Sequence, residues 1–269
     1  MDAAITEPQT FSADLDGQTV AYLKAGHGPA LVIIHGLGGH KEDFGQVVQL
    51  LGPHYTVYAP DMLGFGGSSR DAPSVGPNAQ AAMVRALLDH EGIAHAHIAG
   101  NSAGGWAAAV FAQSYPERIG KLALIDVAGL SVTLSGPPPV NFAPDTVEEM
   151  HQLLSVTIAS PFAQTQDFAS QALAAFKASG EAASLGKLFA GFSAPDNADP
   201  VLDDVLPNVH APTLVVWGEK DGLFPAALAD MVVSQLPPGA TKVIIPEASH
   251  FSQIDDPDAL ARALADFFG

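Results

Sequence analysis

Short runs of apolar and β-branched residues recur along this chain, separated by stretches whose apolar residues return with helical period, and this alternation constrains the fold more than any other feature. A strand that is apolar on both faces must be covered on both, and a helix between two such strands carries the chain back to start the next one in parallel. The runs fall at residues 18–24, 30–35, 56–59, 95–99, 122–126, 213–217 and 242–245, with a first antiparallel strand near 11–15 turned by Asp16-Gly17. Helical periodicity fits 42–51, 78–90, 103–114, 225–235 and 257–268. The predicted class is therefore α/β, a mostly parallel sheet of eight strands flanked by helices.

One region breaks the rhythm. From about 131 to about 205 the strand signal disappears, Gly136-Pro137-Pro138-Pro139 intervenes, and helical stretches follow at 146–158 and 168–179. Pro and Gly at the margins mark an excursion from the sheet. The expected organisation is a core in two parts, 1–130 and 206–269, with an inserted helical cap over 131–205. No internal repeat is visible.

A chain of 269 residues with 48% hydrophobic content can bury a sizeable core as one large domain or a domain plus insertion. Its net charge of -18 reflects few basic residues, since only 15% of the chain is charged. Such a field repels phosphate backbones and anionic lipid, so neither nucleic acid nor an acidic membrane is an expected partner. Without cysteine there is no disulfide, no thiolate nucleophile and no Cys-ligated metal. The start, Met1-Asp2-Ala3-Ala4-Ile5-Thr6-Glu7, lacks the basic and apolar regions of a signal peptide. No run approaches the ~20 apolar residues of a membrane span, so a cytoplasmic location is expected; the oligomeric state is left open.

Chemistry enters at Gly100-Asn101-Ser102-Ala103-Gly104, which joins a predicted strand to an alanine-rich helix. In that context G-x-S-x-G describes a sharp turn that lifts a serine hydroxyl out of the backbone, with glycines where a Cβ would collide. Ser102 is the candidate nucleophile. A serine hydroxyl needs a base and an orienting acid. His250 follows the last predicted strand, in Glu247-Ala248-Ser249-His250-Phe251, and Asp221 follows the strand before it, in Trp217-Gly218-Glu219-Lys220-Asp221-Gly222. The order Ser, Asp, His is the one such a sheet uses, which favours Asp221 over its rival Asp126 at the end of another strand.

Acyl transfer also needs donors for an oxyanion. The N–H of Ala103 opens the helix after the serine, where N–H groups are unpaired and favour negative charge. The second donor is expected from His35-Gly36-Leu37-Gly38-Gly39, with Leu37 preferred and Gly36 as the alternative; His35 reads as structural.

These segments, together with Asp61-Met62-Leu63-Gly64-Phe65-Gly66-Gly67-Ser68-Ser69 and Pro212-Thr213-Leu214-Val215-Val216-Trp217, resemble the α/β-hydrolase superfamily, of the kind that carries a helical cap. The resemblance spans the whole core and implies a cofactor-free serine hydrolase. Epoxide hydrolases and haloalkane dehalogenases of this fold carry an aspartate where this chain has Ser102, which disfavours those chemistries. Serine members include carboxylesterases, lactonases, perhydrolases and the carbon-carbon hydrolases of ring-fission dienones. Asn101 and Asp61-Met62-Leu63-Gly64-Phe65-Gly66 resemble the last group. That group grips an anionic dienoate with a cap arginine, whereas region 131–205 holds no arginine and only Lys177 and Lys187, and Phe251 stands where that group has tryptophan.

A carboxylate substrate would lose a charge-assisted hydrogen bond in so acidic a site, at a cost of ~1.5–3 kcal/mol. The expectation is a small neutral ester or related acyl substrate, hydrolysed through an acyl-enzyme, with dienone hydrolysis, lactonase or perhydrolase activity as alternatives and a non-catalytic ligand receptor as the reading from another class. Gly36, Asn101, Phe142, Phe162 and Phe251 are the expected pocket residues, most cap aromatics serving the cap's own core. His95-Ala96-His97 has metal-like spacing without a further ligand cluster, so no metal is expected. Gly64-Phe65-Gly66-Gly67 lacks the ending of a phosphate loop, and Asp61 and Trp106 read as structural.

Overall fold

The computed structural model describes residues 5–135, 138–192 and 199–269. Met1-Asp2-Ala3-Ala4 and Gly136-Pro137, both invoked above, lie outside the described residues. The strands are β1 (Ile5–Leu15), β2 (Gln18–Gly26), β3 (Ala30–Ile34), β4 (Thr56–Pro60), β5 (Ala96–Asn101), β6 (Ile119–Ile125), β7 (Thr213–Gly218) and β8 (Thr241–Ile245). They form one eight-stranded sheet in the order β1-β2-β4-β3-β5-β6-β7-β8. The β1–β2 and β2–β4 pairs are antiparallel and every later pair is parallel.

The helices are α1 (Gly45–Leu51), α2 (Pro77–His90), α3 (Ala103–Ser114), α4 (Ser131–Leu134), α5 (Val147–Thr157), α6 (Gln166–Ser179), α7 (Ala182–Phe192), α8 (Leu202–Val205), α9 (Leu228–Gln235), α10 (Ser252–Asp255) and α11 (Pro257–Phe268). Among the described residues no helix is long and apolar enough to cross a membrane.

Strand periodicity divides the core into two layers. Val32, Ile34, Ile98, Leu124 and Trp217 face one side, with α2 and α3, while Leu31, Ile33, Ala99, Ile125 and Val216 face the other, with α1 and α11. Helix α3 is Ala- and Gly-rich and buried nearly all round, so its small side chains let it sit close to the sheet. Helix α11 starts where Asp256 accepts the Ala259 N–H at 2.9 Å with Pro257 in the first turn, and it buries Leu260, Ala261, Leu264 and Phe268 along one stripe.

Several boundaries differ from the sequence expectation. Strand β1 begins well before residue 11, because Gln9 and Thr10 pair with Lys24 and Leu23 at a solvated sheet edge where no apolar signal is needed. The segment expected as a helix from 42 opens as a 3-10 turn, Lys41–Phe44, and the helix expected from Pro225 begins at Leu228. Helix α7, where the sequence predicts no element, buries Leu185 and Leu188 at helical spacing but contains Gly186 and Gly191, which lower helix propensity.

Between β6 and β7 the chain leaves the sheet and returns. Its two ends meet where the Leu202 N–H donates to the Gly129 carbonyl at 2.8 Å and Asp203 accepts from the Ser131 N–H and hydroxyl, at 2.6 and 2.9 Å. Helices α5 and α6 pack through Met150, Leu154, Ile158, Ala169 and Leu173 into a small core of their own.

Candidate active site

The turn from β5 into α3 holds Ser102 at φ 54°, a conformation unusual for a residue with a side chain. Neighbours over-determine it: its N–H donates to the Ile125 carbonyl at 2.8 Å, and its carbonyl accepts the N–H groups of Trp106 at 3.1 Å and Ala128 at 3.2 Å. The flanking glycines are required by contact. A Cβ on Gly100 would stand 2.3 Å from the Gly104 carbonyl oxygen, and one on Gly104 would stand 2.3 Å from that of His35. Among the described residues the Ser102 hydroxyl has no hydrogen-bond partner, and it opens into a cavity.

His250 and Asp221 meet in the loops after β8 and β7. His250 Nδ1 lies 2.8 Å from Asp221 Oδ2, while Asp221 Oδ1 accepts the N–H groups of Leu223 and Phe224, both at 2.8 Å. A carboxylate only accepts, so Nδ1 carries the hydrogen and Nε2 is left as an acceptor. The buried imidazole is walled by Phe224, edge-on at 5.2 Å, and by Phe251 at 5.5 Å.

Asp126, the rival acid, also reaches this spot. It is fully buried at φ 45°, its Oδ1 accepting the Gly218 N–H at 2.7 Å and its Oδ2 facing the Ser252 hydroxyl at 3.0 Å. Burial first, and the neighbouring Asp221 second, push its carboxyl well above the usual range. Asp126, Asp221 and His250 each offer a ligand-type atom within 4.8 Å of the others. His97, one of the metal-spaced histidines, instead accepts the Lys121 N–H at 3.1 Å and stacks on Phe268.

The loop after β3 supplies the opposite wall. His35 bridges Gly36 and Met62: Nδ1 lies 2.7 Å from the Gly36 carbonyl and Nε2 accepts the Met62 N–H at 2.9 Å, so burial keeps the ring neutral and its pKa lowered. Asp61 ties the same loop down by accepting the N–H groups of Lys41 and Gly67, each at 2.8 Å. Leu37 and Ala103 both line the cavity, and among the described residues neither N–H has a protein acceptor.

The cavity, about 750 Å³, lies between this edge of the sheet and α5 to α7. Leu37, Ser102, Ala103, Phe142, His250 and Phe251 border it. Three expected pocket residues do not. Gly36 sits behind the serine, where an added Cβ would come 2.9 Å from the Ser102 Cβ. Asn101 is fully buried and turned away, its Nδ2 donating to the His250 carbonyl at 2.9 Å. Phe162 is half exposed and packs edge-on against Phe168 at 5.2 Å.

Sequence reasoning missed His40, Asp43 and Glu181, which give the cavity a polar side. Glu181, 2% exposed, follows Gly180, and its Oε1 receives His40 Nε2 at 3.0 Å, the Gly66 N–H at 2.9 Å and Arg70 Nη2 at 3.5 Å. The bond to Glu181 raises the His40 pKa; burial opposes ionisation of Glu181, yet the bonds from His40 and Gly66 lower its pKa. Only the left-handed Gly180 that ends α6 (φ 75°) hints at this join. Among the described residues no lysine or arginine lines the cavity; Lys177 and Lys187 bond to the carbonyls of Asp145 and Ala72 at 2.7 and 2.6 Å.

A dihydrolipoyllysine-residue acetyltransferase component of an acetoin cleaving system from Cupriavidus necator is 29% identical over 90% of this chain, which spans 64% of that relative's length. A 2-hydroxy-6-oxo-6-phenylhexa-2,4-dienoate hydrolase from Burkholderia cepacia is 30% identical over 90% of this chain and 88% of its own. A bacterial membrane phospholipase A, described as a virulence factor, superposes with a TM-score of 0.81 at 26% identity over 98% of this chain and 86% of its own. The family profile described as the alpha/beta hydrolase family matches residues 31–263, and the chain belongs to that family.

Proposed function

We propose that this protein is a serine hydrolase of neutral carboxylic esters. His250, oriented by Asp221, takes the proton of Ser102 as the hydroxyl turns toward Nε2 and attacks the ester carbonyl. The N–H groups of Leu37 and Ala103 receive the oxyanion of the tetrahedral intermediate. His250 then protonates the departing alcohol, and water, activated by the same imidazole, releases the acid from the Ser102 acyl-enzyme. The helices between β6 and β7 act as a cap that holds the apolar part of the substrate under Phe142 and Phe251.

The observation that carries the choice of ester is the cavity lining: apolar over most of its extent, polar at His40, Asp43, Glu181 and Asp199, and free of lysine and arginine among the described residues. A substrate carboxylate would find no lysine or arginine there, and the one lining imidazole with a raised pKa, His40, is already bonded to Glu181; the lost charge-assisted bond is worth ~1.5–3 kcal/mol, about ten- to a hundredfold in affinity. The likeness to a phospholipase supports the same reading.

Hydrolysis of a carbon-carbon bond in a ring-fission dienone is the second reading, favoured by the 30% identity with the Burkholderia cepacia dienoate hydrolase. A side-by-side assay of p-nitrophenyl esters and a ring-fission dienone separates the two. Ester kcat/KM is expected to exceed dienone kcat/KM at least about tenfold, and Ser102→Ala to lower ester turnover by about 10⁴-fold or more. A faster dienone rate selects the second reading, and undiminished turnover in the variant removes the serine mechanism altogether.

A further inference from the structure

We propose that Asp126 is held as a neutral carboxylic acid that shares its proton with Asp221 and thereby positions that carboxylate beneath His250. The proposal rests on the triad reading above and adds a positioning residue to it.

Three unfavourable features coincide at Asp126. It is an acid with no exposed surface, it is one of few non-glycine residues with positive φ, and it stands against a second carboxyl group. Its two hydrogen bonds to Gly218 and Ser252 tie the end of β7 to the start of α10. A buried asparagine or serine would make such a tie without bringing a second acid into the core, so the tie alone does not account for an aspartate.

The groups that face it are Asp221 from the loop after β7, His250 from the loop after β8, the Gly218 N–H and the Ser252 hydroxyl. No fixed cation stands among them. Two adjacent buried carboxylates would repel each other strongly, and one shared proton removes that repulsion. Burial and the Asp221 charge both favour the protonated form. The proton then gives Asp221 a further donor beside the N–H groups of Leu223 and Phe224 and His250 Nδ1. A carboxylate so fully engaged has one orientation, and a single negative charge faces the imidazole.

Infrared difference spectra and kinetics test this together. A neutral carboxylic C=O band is expected at pH 7 in the unmodified protein and in Ser102→Ala, and is expected to vanish in Asp126→Asn. Because the band does not depend on turnover, it stands or falls separately from the ester assignment. Asp126→Ala is expected to lower kcat by about ten- to a hundredfold with KM changed less than about threefold. Asp126→Asn, which keeps a donor toward Asp221, is expected to recover kcat to within about fivefold and to leave the acid limb of kcat/KM in place.

If Asp126→Ala does not fold, the band and the Asn variant decide. Absence of the band, or an acid limb moved by more than about one pH unit in Asp126→Asn, would mean that Asp126 is ionised and would overturn the proposal. A melting temperature raised by zinc and lowered by chelator would assign the cluster to a cation and overturn it as well.

Discussion

Asn101 and His250 stand 149 positions apart in the chain, yet the Asn101 amide donates to the His250 carbonyl at 2.9 Å, so the residue before the serine holds the loop that carries the imidazole. Asn101→Ala leaves that buried carbonyl without its donor, at a cost of about 1–3 kcal/mol. The expected outcome is a lower melting temperature and a roughly tenfold fall in kcat, with KM for a neutral ester little changed. Calorimetry and steady-state kinetics on the same preparation check both.

Asp221→Asn offers a different test. Oδ1 of the asparagine is needed by the N–H groups of Leu223 and Phe224, so its amide nitrogen must face His250 Nδ1. Two donors cannot share one bond, and the ring is forced into the tautomer with hydrogen on Nε2, useless as a base toward Ser102. A fall in kcat of about 10⁴-fold with an unchanged fold is expected, read by stopped-flow ester hydrolysis beside circular dichroism.

The close approach of α3 to the sheet sets a third expectation. Gly104→Ala brings a Cβ within 2.3 Å of the His35 carbonyl oxygen, which is main chain and cannot swing aside. Overpacking of this kind costs about 1–3 kcal/mol, and the denaturant midpoint should drop accordingly. Gly186→Ala, where an added Cβ meets nothing, serves as the control.

The join between Glu181 and His40 makes the seam between α7 and the sheet sensitive to pH. The His40 pKa is raised in the folded state, so its contribution is full below the ordinary imidazole value and is lost as pH rises through the raised one. The Glu181 pKa is lowered, so its contribution is present above the ordinary carboxyl value and is lost as pH falls through the lowered one. Protection factors of the α7 amides, taken relative to intrinsic exchange at each pH, should therefore be highest in mildly acidic to neutral solution and fall toward either side. Glu181→Gln should flatten that dependence.

Much of this architecture was legible in sequence because apolar runs such as Leu31-Val32-Ile33-Ile34 have one stable fate, a strand covered on both faces. The strained turn at Ser102 and the meeting of His250 with Asp221 follow from chain order and position after strands. Other features left no local trace. Helix α7 is interrupted by Gly186 and Gly191, which weaken its helical signal, and β1 extends through polar residues that need only backbone pairing. The orientation of Asn101 and the exposure of Phe162 depend on which neighbour arrives from far along the chain. The joining of Glu181 to His40 and Gly66 is likewise tertiary, with separations of 141 and 115 residues.

The pinched neck at Gly129, Ser131, Leu202 and Asp203 has an architectural consequence. Because both feet of the roof stand together, a foreign roof with the same footing could be grafted there without disturbing strand pairing. Such a graft would also have to match the ties away from the neck, from Glu181 to His40 and Gly66 and from the Trp106 indole N–H to the Pro200 carbonyl.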